Sequence, residues 1–397
     1  MRLASRIAPI EDSPTLAITA RAKAMRQAGI DVVSFGAGEP DFPTPAHIRR
    51  AASEAMEAGF TRYTPAAGIP ELREAVARRL EARHAIPYRT EEVIITCGGK
   101  HALYNLAQVL LDPGDEVVVI TPHWVSYPPI VRMAGGIPVF LPTSEAEGFQ
   151  IDPRALRRCL TPKTRAVILN APANPTGTVY AAETLGAIAQ ELHDYKDVVV
   201  ISDDIYVELS YVGEVPSILR IAPSLRERTV VVGGASKAYA MTGWRIGFAA
   251  GPVEIIAAMK RLQSHSTSNP TSFAQKGALA AFTGPQDVVV EMREAFEARR
   301  RVMLDRLAAI PGISCVPPDG AFYAFPNVSA IFGAETARGT IAGSLDLAAY
   351  LLEEARLAVI PGIAFGADRY IRLSFATSLS EITRGLERLE AAFRKLR

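Results

Sequence analysis

The chain has 397 residues, with 43 Lys and Arg against 42 Asp and Glu, a formal net charge of +1. Both signs are mixed along the sequence, so no basic patch argues for nucleic acid, and helices such as Glu291 to Arg306 read as solvated faces of alternating charge. Apolar runs are too short to cross a bilayer, and the N-terminus lacks the apolar centre of a signal peptide. The three cysteines, Cys97, Cys159 and Cys315, lie far apart with no CxxC, which argues against a disulfide framework or a zinc site and suits a reducing cytoplasm. The length allows roughly two to three domains, and 49% hydrophobic residues are ample for a large core. Neither an internal repeat nor a low-complexity segment is present.

Ser13-Pro14 reads as the N-cap and first position of a short helix that Gly29 stops. Val32-Val33-Ser34-Phe35 then leads into Gly36-Ala37-Gly38-Glu39-Pro40-Asp41-Phe42, where the glycines and proline predict a shaped loop. Pro45 to Ala58 looks helical. Tyr63-Thr64-Pro65-Ala66-Ala67-Gly68 is a second shaped loop, followed by an amphipathic helix from Pro70 to about Arg83. From Glu92 the pattern becomes regular. Strands are predicted at Val93 to Thr96, Asp115 to Ile120, Ile137 to Leu141, Arg165 to Asn170, Asp197 to Ile201, Thr229 to Val232 and Ile246 to Ala250. Helices are predicted at Lys100 to Leu111, Ala181 to Tyr195 and Pro252 to Gln263. Strands rich in Val and Ile that alternate with helices imply an α/β domain with a buried, mostly parallel sheet. Ligands bind beyond the carboxyl ends of such strands. Gly98-Gly99, Asn174, Asp203 and Lys237 all fall just past strand ends, so one pocket can collect them. After about Gly284 a long charged helix, Gln286 to Ile310, precedes short strands near Ile313 to Val316, Ala321 to Phe325 and Tyr370 to Phe375. Helices Leu345 to Glu354 and Ser380 to Leu396 cover them, which reads as a smaller α+β domain joined by the N-terminal segment.

The stretch with the most chemistry is Gly233-Gly234-Ala235-Ser236-Lys237-Ala238-Tyr239-Ala240-Met241-Thr242-Gly243-Trp244-Arg245. A buried-type strand delivers Lys237 among small residues, where a large planar ligand can come close. A partly desolvated lysine loses its proton easily and forms Schiff bases. Arg245, eight residues on, can hold a phosphate through paired hydrogen bonds. A carbonyl cofactor with a phosphate tail fits, and pyridoxal 5′-phosphate (PLP) is one. Taken alone, the stretch reads more simply as a surface lysine and a structural arginine, and the rest of the chain decides.

Further features bear on this. Asp203 closes an apolar strand, and a carboxylate there can keep a pyridine nitrogen protonated so that the ring acts as an electron sink; an ordinary end-of-strand turn also favours Asp. Tyr206 and Asn174 (in Asn174-Pro175-Thr176-Gly177) can bond a phenolate oxygen, although Asn-Pro with Gly makes a turn by itself. Gly98-Gly99 before a helix can seat phosphate on backbone N–H groups, and Trp124 can stack on a flat ring or fill a core. Arg372 sits inside the apolar run Tyr370-Ile371-Arg372-Leu373-Ser374, and a buried arginine wants a carboxylate, such as a substrate's.

In this order the motifs resemble a family over nearly the whole chain. They are Gly38-Glu39-Pro40-Asp41-Phe42, Tyr63 to Arg73, Gly98-Gly99-Lys100, Trp124-Val125-Ser126-Tyr127-Pro128, Asn174-Pro175-Thr176-Gly177, the Lys237 stretch and Arg372 to Ser378. The chain is similar to the fold-type I PLP enzymes of the class I aminotransferase family, near their bacterial aspartate aminotransferase branch. The resemblance implies a large PLP-binding domain (47–284) with a mostly parallel seven-stranded sheet flanked by helices. It also implies an N-terminal arm that forms part of the small domain (1–46), and a small C-terminal domain (285–397). Lys237 then forms the Schiff base and acts as base and acid at the substrate α-carbon. Asp203 pairs with the pyridinium, Tyr206 and Asn174 bond the phenolate oxygen, Trp124 stacks on the ring, and Arg245 with the Gly99-Lys100 backbone holds the phosphate. Tyr63 reaches the phosphate of a neighbouring subunit, implying a homodimer with shared sites; Arg372 clamps the α-carboxylate and Gly38 lies beside the substrate.

Three positions depart from the commonest family pattern: Ala173, Asp204 and His123. They leave the cofactor contacts intact and bear on substrate preference. The reaction implied is a ping-pong exchange of an amino group between an amino acid and a 2-oxo acid. Lys100, Thr15 and, from the other subunit, Ser268 are the candidates for a side-chain carboxylate, which favours aspartate with 2-oxoglutarate; Lys100 also serves simply to start a helix. Relatives with the same cofactor set accept prephenate, aromatic amino acids or alanine. A PLP-dependent lyase would keep the same core residues, whereas a regulator of this type needs an added DNA-binding domain, for which the residues before Pro14 leave no room. No metal is expected.

Overall fold

The structure, a computed structural model, describes residues 7, 10, 14–337 and 339–396. Its centre is a seven-stranded sheet. In chain order the strands are β1 (Val93–Thr96), β2 (Glu116–Thr121), β3 (Ile137–Pro142), β4 (Thr164–Asn170), β5 (Val199–Asp203), β6 (Thr229–Gly234) and β7 (Gly247–Ala250). In space they run β1-β7-β6-β5-β4-β2-β3. All neighbours are parallel except β7, which is antiparallel to both β1 and β6. Alternate residues serve opposite faces. Val118, Val167, Val200 and Val231 pack into one core, while Val117, Ala166, Ile201 and Val230 pack into another. Burial on both faces explains the continuous Val and Ile runs.

A second core gathers round a three-stranded antiparallel sheet, with β8 (Tyr323–Ala324) and β9 (Ile360–Pro361) on either side of β10 (Ile371–Ser374). Phe296, Phe322, Tyr323, Leu373, Phe375 and Phe393 fill it, and Val33 and Phe35 join from the other end of the chain. Val33–Ser34 pairs in parallel with Leu357–Ala358, so the N-terminal segment is stitched to the C-terminal part. Tyr206 and Leu209, from the loop after β5, also belong to this core. The loop therefore bridges the large sheet and the small one.

Several boundaries differ from the sequence expectation. The strand predicted at Asp197 to Ile201 runs Val199–Asp203, so Asp203 is the last ladder residue, not a loop residue. The helix predicted to Tyr195 ends at Glu191. Ile313 to Val316 makes only an isolated bridge, Ser314 with Asn327, because Pro317 and Pro318 follow and cannot donate to a ladder. Helix Ser272–Thr283 was not anticipated. Half of its residues are Ala, Gly or Ser, whose weak apolar contrast hides its period; it buries Ala274, Gly277, Ala278 and Ala281 and packs on helices Ala46–Glu57 and Pro70–His84. The first helix begins at Pro14; its proposed cap, Ser13, lies outside the described residues.

One contact sets the shape of the pocket end of this sheet. Gly247 pairs with Thr96 on one side and Gly234 on the other. A Cβ there would lie 2.3 Å from the Gly99 nitrogen and 2.4 Å from the Gly98 carbonyl carbon. Both are backbone atoms and cannot rotate away. Gly247→Ala is expected to cost about 1–3 kcal/mol by overpacking, read as a lower urea midpoint at unchanged slope. An unchanged midpoint would mean that the Gly98-Gly99 turn yields freely.

Candidate active site

The pocket lies where β4, β5 and β6 end, as parallel-sheet physics requires. Asp203 ends β5 at 4% exposure. Its Oδ2 accepts a hydrogen bond from the Tyr127 hydroxyl at 2.7 Å, and its Oδ1 accepts from the Ile205 N–H at 3.3 Å. Asn170, its register partner on β4, donates to the Asp203 carbonyl at 2.9 Å and accepts from the Asn174 N–H at 2.9 Å. Asn170 thus holds Asp203 and Asn174 in one frame. Among the described residues Asp203 has no ion pair. Burial pushes its carboxyl up to about 6, against the pull of the two hydrogen bonds. The neighbouring Asp204 is partnered differently, by Arg83 at 2.9 Å and the Ser202 hydroxyl at 2.6 Å.

Lys237 follows β6 and is partly buried; its Nζ donates to the Gly38 carbonyl at 2.6 Å. Burial pushes the ammonium down to about 8, and the positive charge of Arg372 works in the same direction. The Tyr206 ring lies 5.8 Å from Nζ, and the Tyr206 hydroxyl sits 2.8 Å from that of Tyr323. Arg372, on β10, is 3% exposed. It donates to Asn174 Oδ1 and to the Gly36 carbonyl, both at 3.1 Å, and its guanidinium stands 4.4 Å from the Tyr323 ring centre. Its Nε has no partner, and no carboxylate pairs with it among the described residues. Burial lowers its proton affinity without any carboxylate to restore it.

At the other end of the pocket, Gly98 (φ +87°) precedes helix Gly99–Leu110, whose N-cap has no side-chain hydrogen bond. The first N–H groups of a helix lack internal partners and attract anions. Arg245, itself at φ +57°, lays its guanidinium beside this turn, donating to the Thr242 and Cys97 carbonyls at 2.8 and 3.3 Å. The positive φ of Gly98 favours glycine, and a Cβ there would also push on the Arg245 guanidinium, 2.4 Å from Nη2. Lys100 Nζ lies 5.0 Å from the Trp124 ring centre, and Trp124 meets Tyr127 edge to face at 5.3 Å. This donor set fits a flat cofactor with an anionic tail at one end and a basic ring nitrogen in the middle. Backbone N–H groups and Arg245 suit the tail, and the unpaired Asp203 suits the nitrogen. Among the described residues no group of three or more His, Cys, Asp or Glu is placed to hold a metal ion.

Gly38, Gly99, Lys100, Trp124, Asn174, Asp203, Tyr206, Lys237, Arg245 and Arg372 are therefore brought together within a single chain. Three candidates are not. Tyr63 is 91% exposed. Ser268 (φ +59°) closes the end of helix Val253–Ser266 through its N–H to Gln263. Thr15 lies in the first turn of helix Pro14–Gln27, with its hydroxyl buried and unpartnered. That helix passes beside the site, since a Cβ on Gly36 would meet the Thr19 hydroxyl at 3.6 Å. The sequence reading missed Tyr127, Asn170 and Tyr323 as site residues. Tyr127 has a local signal, three residues after Trp124 in a Pro-rich turn; the others owe their place to strand register.

A family model described as aminotransferase class I and II matches residues 30–389. The aspartate aminotransferase of Geobacillus stearothermophilus is 49% identical over 393 residues, 98% of each chain. The aspartate/prephenate aminotransferase of Nitrosomonas europaea is 43% identical, covering 98% of this chain and 99% of the relative. Among solved structures, the aspartate aminotransferase from Rhizobium meliloti superposes with a TM-score of 0.95 at 42% identity, covering 99% of both chains. That from Thermus thermophilus with maleate gives 0.92 at 44%, covering 99% of this chain and all of the other.

The Asp203 carboxyl provides a test without any cofactor. Its proton is held more tightly in the folded chain (about 6) than in the unfolded one (about 3.9). Its contribution to stability is therefore fully present below about pH 4 and is lost as pH rises through about 6. Asp203→Asn is neutral throughout. The stability difference, parent minus variant, measured by urea unfolding is expected to fall across that window; a pH-independent difference would mean that burial leaves this carboxyl unperturbed.

Proposed function

The chain belongs to the class I and II aminotransferases, and from that premise we propose that it transfers the amino group of aspartate to 2-oxoglutarate, yielding oxaloacetate and glutamate, with PLP as cofactor. The aspartate aminotransferases are PLP-dependent, and their substrates are amino and oxo acids. The observation that carries the reading is Arg372. It is a buried guanidinium with no carboxylate of its own, set beside a lysine whose ammonium burial weakens to about 8. Such an arginine fits a ligand carboxylate through paired, charge-assisted hydrogen bonds.

In this reading Lys237 would hold the cofactor's aldehyde carbon, Asp203 its ring nitrogen, and Tyr206 with Asn174 its phenolate oxygen. Trp124 would cover the ring, while Arg245 and the Gly99-Lys100 backbone would hold the phosphate. PLP, when bound, supplies a sink for the electron pair left when the substrate α-carbon loses its proton. The protein does the rest. Arg372 and Asn174, already bonded at 3.1 Å, orient the α-carboxylate beside Gly38. Freed when the substrate's amino group takes its place, Lys237 Nζ would take the α-proton and deliver it on the cofactor side of the new C=N bond, not back to the α-carbon. An amine near 8 is neutral often enough at neutral pH to act as that base. Asp203, with no internal cation, keeps the ring nitrogen charged.

Lys100, Thr15 and the partner's Ser268 are proposed to meet the side-chain carboxylate. The maleate held by the Thermus neighbour, a four-carbon dicarboxylate, supports a pocket of this charge. Tyr63 is proposed to complete the phosphate site of a second subunit, which accounts for a tyrosine left 91% exposed in one chain. We further propose the division into arm (1–46), large domain (47–284) and small domain (285–397), and a cytoplasmic setting in keeping with three free cysteines. A second reading, prephenate as an additional acceptor, rests on the 43% identical relatives that carry that activity in their names.

Aspartate alone is expected to abolish the visible absorbance of the PLP-loaded protein, and 2-oxoglutarate to restore it. Lys237→Ala is expected to lose turnover by about 10⁴-fold or more. A spectrum that ignores aspartate but responds to an aromatic amino acid or to alanine would overturn the substrate assignment. Lys100→Ala is expected to lower kcat/KM for aspartate about 10- to 100-fold, the worth of one hydrogen bond to a charged group, while leaving alanine unaffected. Equal losses for both would assign Lys100 to the cofactor, not to the side chain.

A further inference from the structure

We propose that Tyr323 is a positioning residue that aligns two working groups at once: the hydroxyl of Tyr206 and the guanidinium of Arg372. The inference rests on the reading above, in which Tyr206 meets the cofactor's phenolate oxygen and Arg372 the substrate carboxylate. Nothing in the motifs singles out Tyr323, and three independent observations do.

The first is strand geometry. Tyr323 on β8 is the register partner of Ser374 on β10, and Arg372 lies two residues earlier on the same strand. Residues two apart share a face, so Tyr323 and Arg372 are diagonal neighbours on one side of the small sheet. The guanidinium lies 4.4 Å from the ring centre, with the Phe365 ring at 5.2 Å. Arg372 is buried without a carboxylate, so the ring faces replace part of the solvation it has lost. The second contact is the hydroxyl. Tyr323 Oη and Tyr206 Oη lie 2.8 Å apart, and Tyr323 is fully buried. One proton lies between the two oxygens. For Tyr206 to donate outward to a cofactor oxygen, its own oxygen must accept from Tyr323, so Tyr323 sets the direction in which Tyr206 points its proton. The third is proximity to Gly38: a Cβ placed there would lie 3.6 Å from Tyr323 Oη. One side chain on β8 therefore touches the loop after β5 and the carboxylate clamp, and lies close to the segment that accepts from Lys237.

The ring and the hydroxyl separate by substitution. Tyr323→Phe keeps the ring under Arg372 and removes the donor to Tyr206; Tyr323→Leu removes both. The measurements are the PLP dissociation constant by absorbance titration, the pH midpoint of the visible band, and the inhibition constant of maleate against turnover. The charged groups acting on Tyr206 and Tyr323 are Arg372 and Asp203, and those acting on Lys237 are Arg372, Glu39, Arg245 and Asp203, all retained in the variants. Tyr323→Phe is expected to weaken PLP about three- to tenfold and to shift the midpoint, with maleate binding within about twofold of the parent. In a Tyr206→Phe background the same change is expected to have no further effect on PLP or the midpoint. Tyr323→Leu is expected to weaken maleate about tenfold or more.

Tyr323→Phe matching the parent in both PLP affinity and midpoint would overturn the inference. So would effects that add in full to those of Tyr206→Phe, because Tyr323 would then not act through Tyr206. If Tyr323→Leu fails to fold, the Phe variant and the double variant still decide the matter. A parent protein that shows no visible band with PLP would instead bring down the proposed function, and this inference with it; a parent that binds PLP beside an unaltered Tyr323→Phe brings down the inference alone.

Discussion

The constraint on which the pocket depends is electrostatic. Two charges of opposite sign, Asp203 and Arg372, are almost wholly removed from water, and neither has an internal counter-ion among the described residues. A buried, unpaired charge costs several kcal/mol. A protein can reduce that cost by pairing the two, and this one keeps them apart. Asp203 is held by Tyr127 and a backbone N–H, while Arg372 is held by an amide oxygen, a carbonyl and two aromatic rings. Those neutral partners soften the penalty without cancelling it. The remainder is free energy available to ligands of the matching charge, a base at Asp203 and a carboxylate at Arg372. A ligand that meets both at once gains from each.

The contrast with Asp204 sharpens the point. One residue further along the chain, a carboxylate is neutralised by Arg83 and a serine hydroxyl. Asp203 ends the strand and Asp204 begins the loop after it, so the two carboxylates meet different surroundings and only Asp203 is left without an ion pair among the described residues. The same separation keeps the Asp204 charge, which pushes the Asp203 carboxyl up, partly compensated. Two adjacent aspartates, indistinguishable in composition, thus take different parts because the strand ends between them.

That division also explains what could be read from the sequence and what could not. The strands were legible because burial on both faces demands unbroken Val and Ile, and their ends were legible because Gly, Asn and Asp mark turns. The pocket at those ends followed from topology alone. Lys237, Asp203, Asn174 and Arg372 stood out because each is a polar residue placed against an apolar run. Tyr323 did not, since an aromatic residue in Ala321-Phe322-Tyr323-Ala324-Phe325 looks like core, which its ring is; only the register with Ser374 aims its hydroxyl at Tyr206. Asn170 was hidden in the same way, as the last residue of a strand whose partner is set across the sheet. Helix Ser272–Thr283 was invisible because Ala and Gly pack closely without leaving an apolar period. Tyr63 and Ser268 belong to a different kind of gap. Their proposed partners lie on a second copy of the chain, and no local pattern encodes that.

The two cores meet at the pocket, and the meeting is chemical as well as spatial. Tyr206 comes from the large sheet's loop yet packs in the small core, where it bonds Tyr323. Segment 36–44 crosses in the other direction. Its Gly36 and Gly38 carbonyls accept from Arg372 and Lys237, and its Thr44 hydroxyl donates to the Ala240 carbonyl while accepting from the Trp244 indole. The Asp41 carboxylate is paired with Arg299 of the long helix at 2.6 Å. Few of these links are apolar, so their strength varies with the charges and hydrogen bonds around them. In the proposed reaction a carboxylate at Arg372 competes with the Gly36 carbonyl, and a cofactor at Lys237 competes with the Gly38 carbonyl. Each ligand would thus replace one of the two hydrogen bonds that this segment makes to the site, and its affinity would include the cost of breaking that bond.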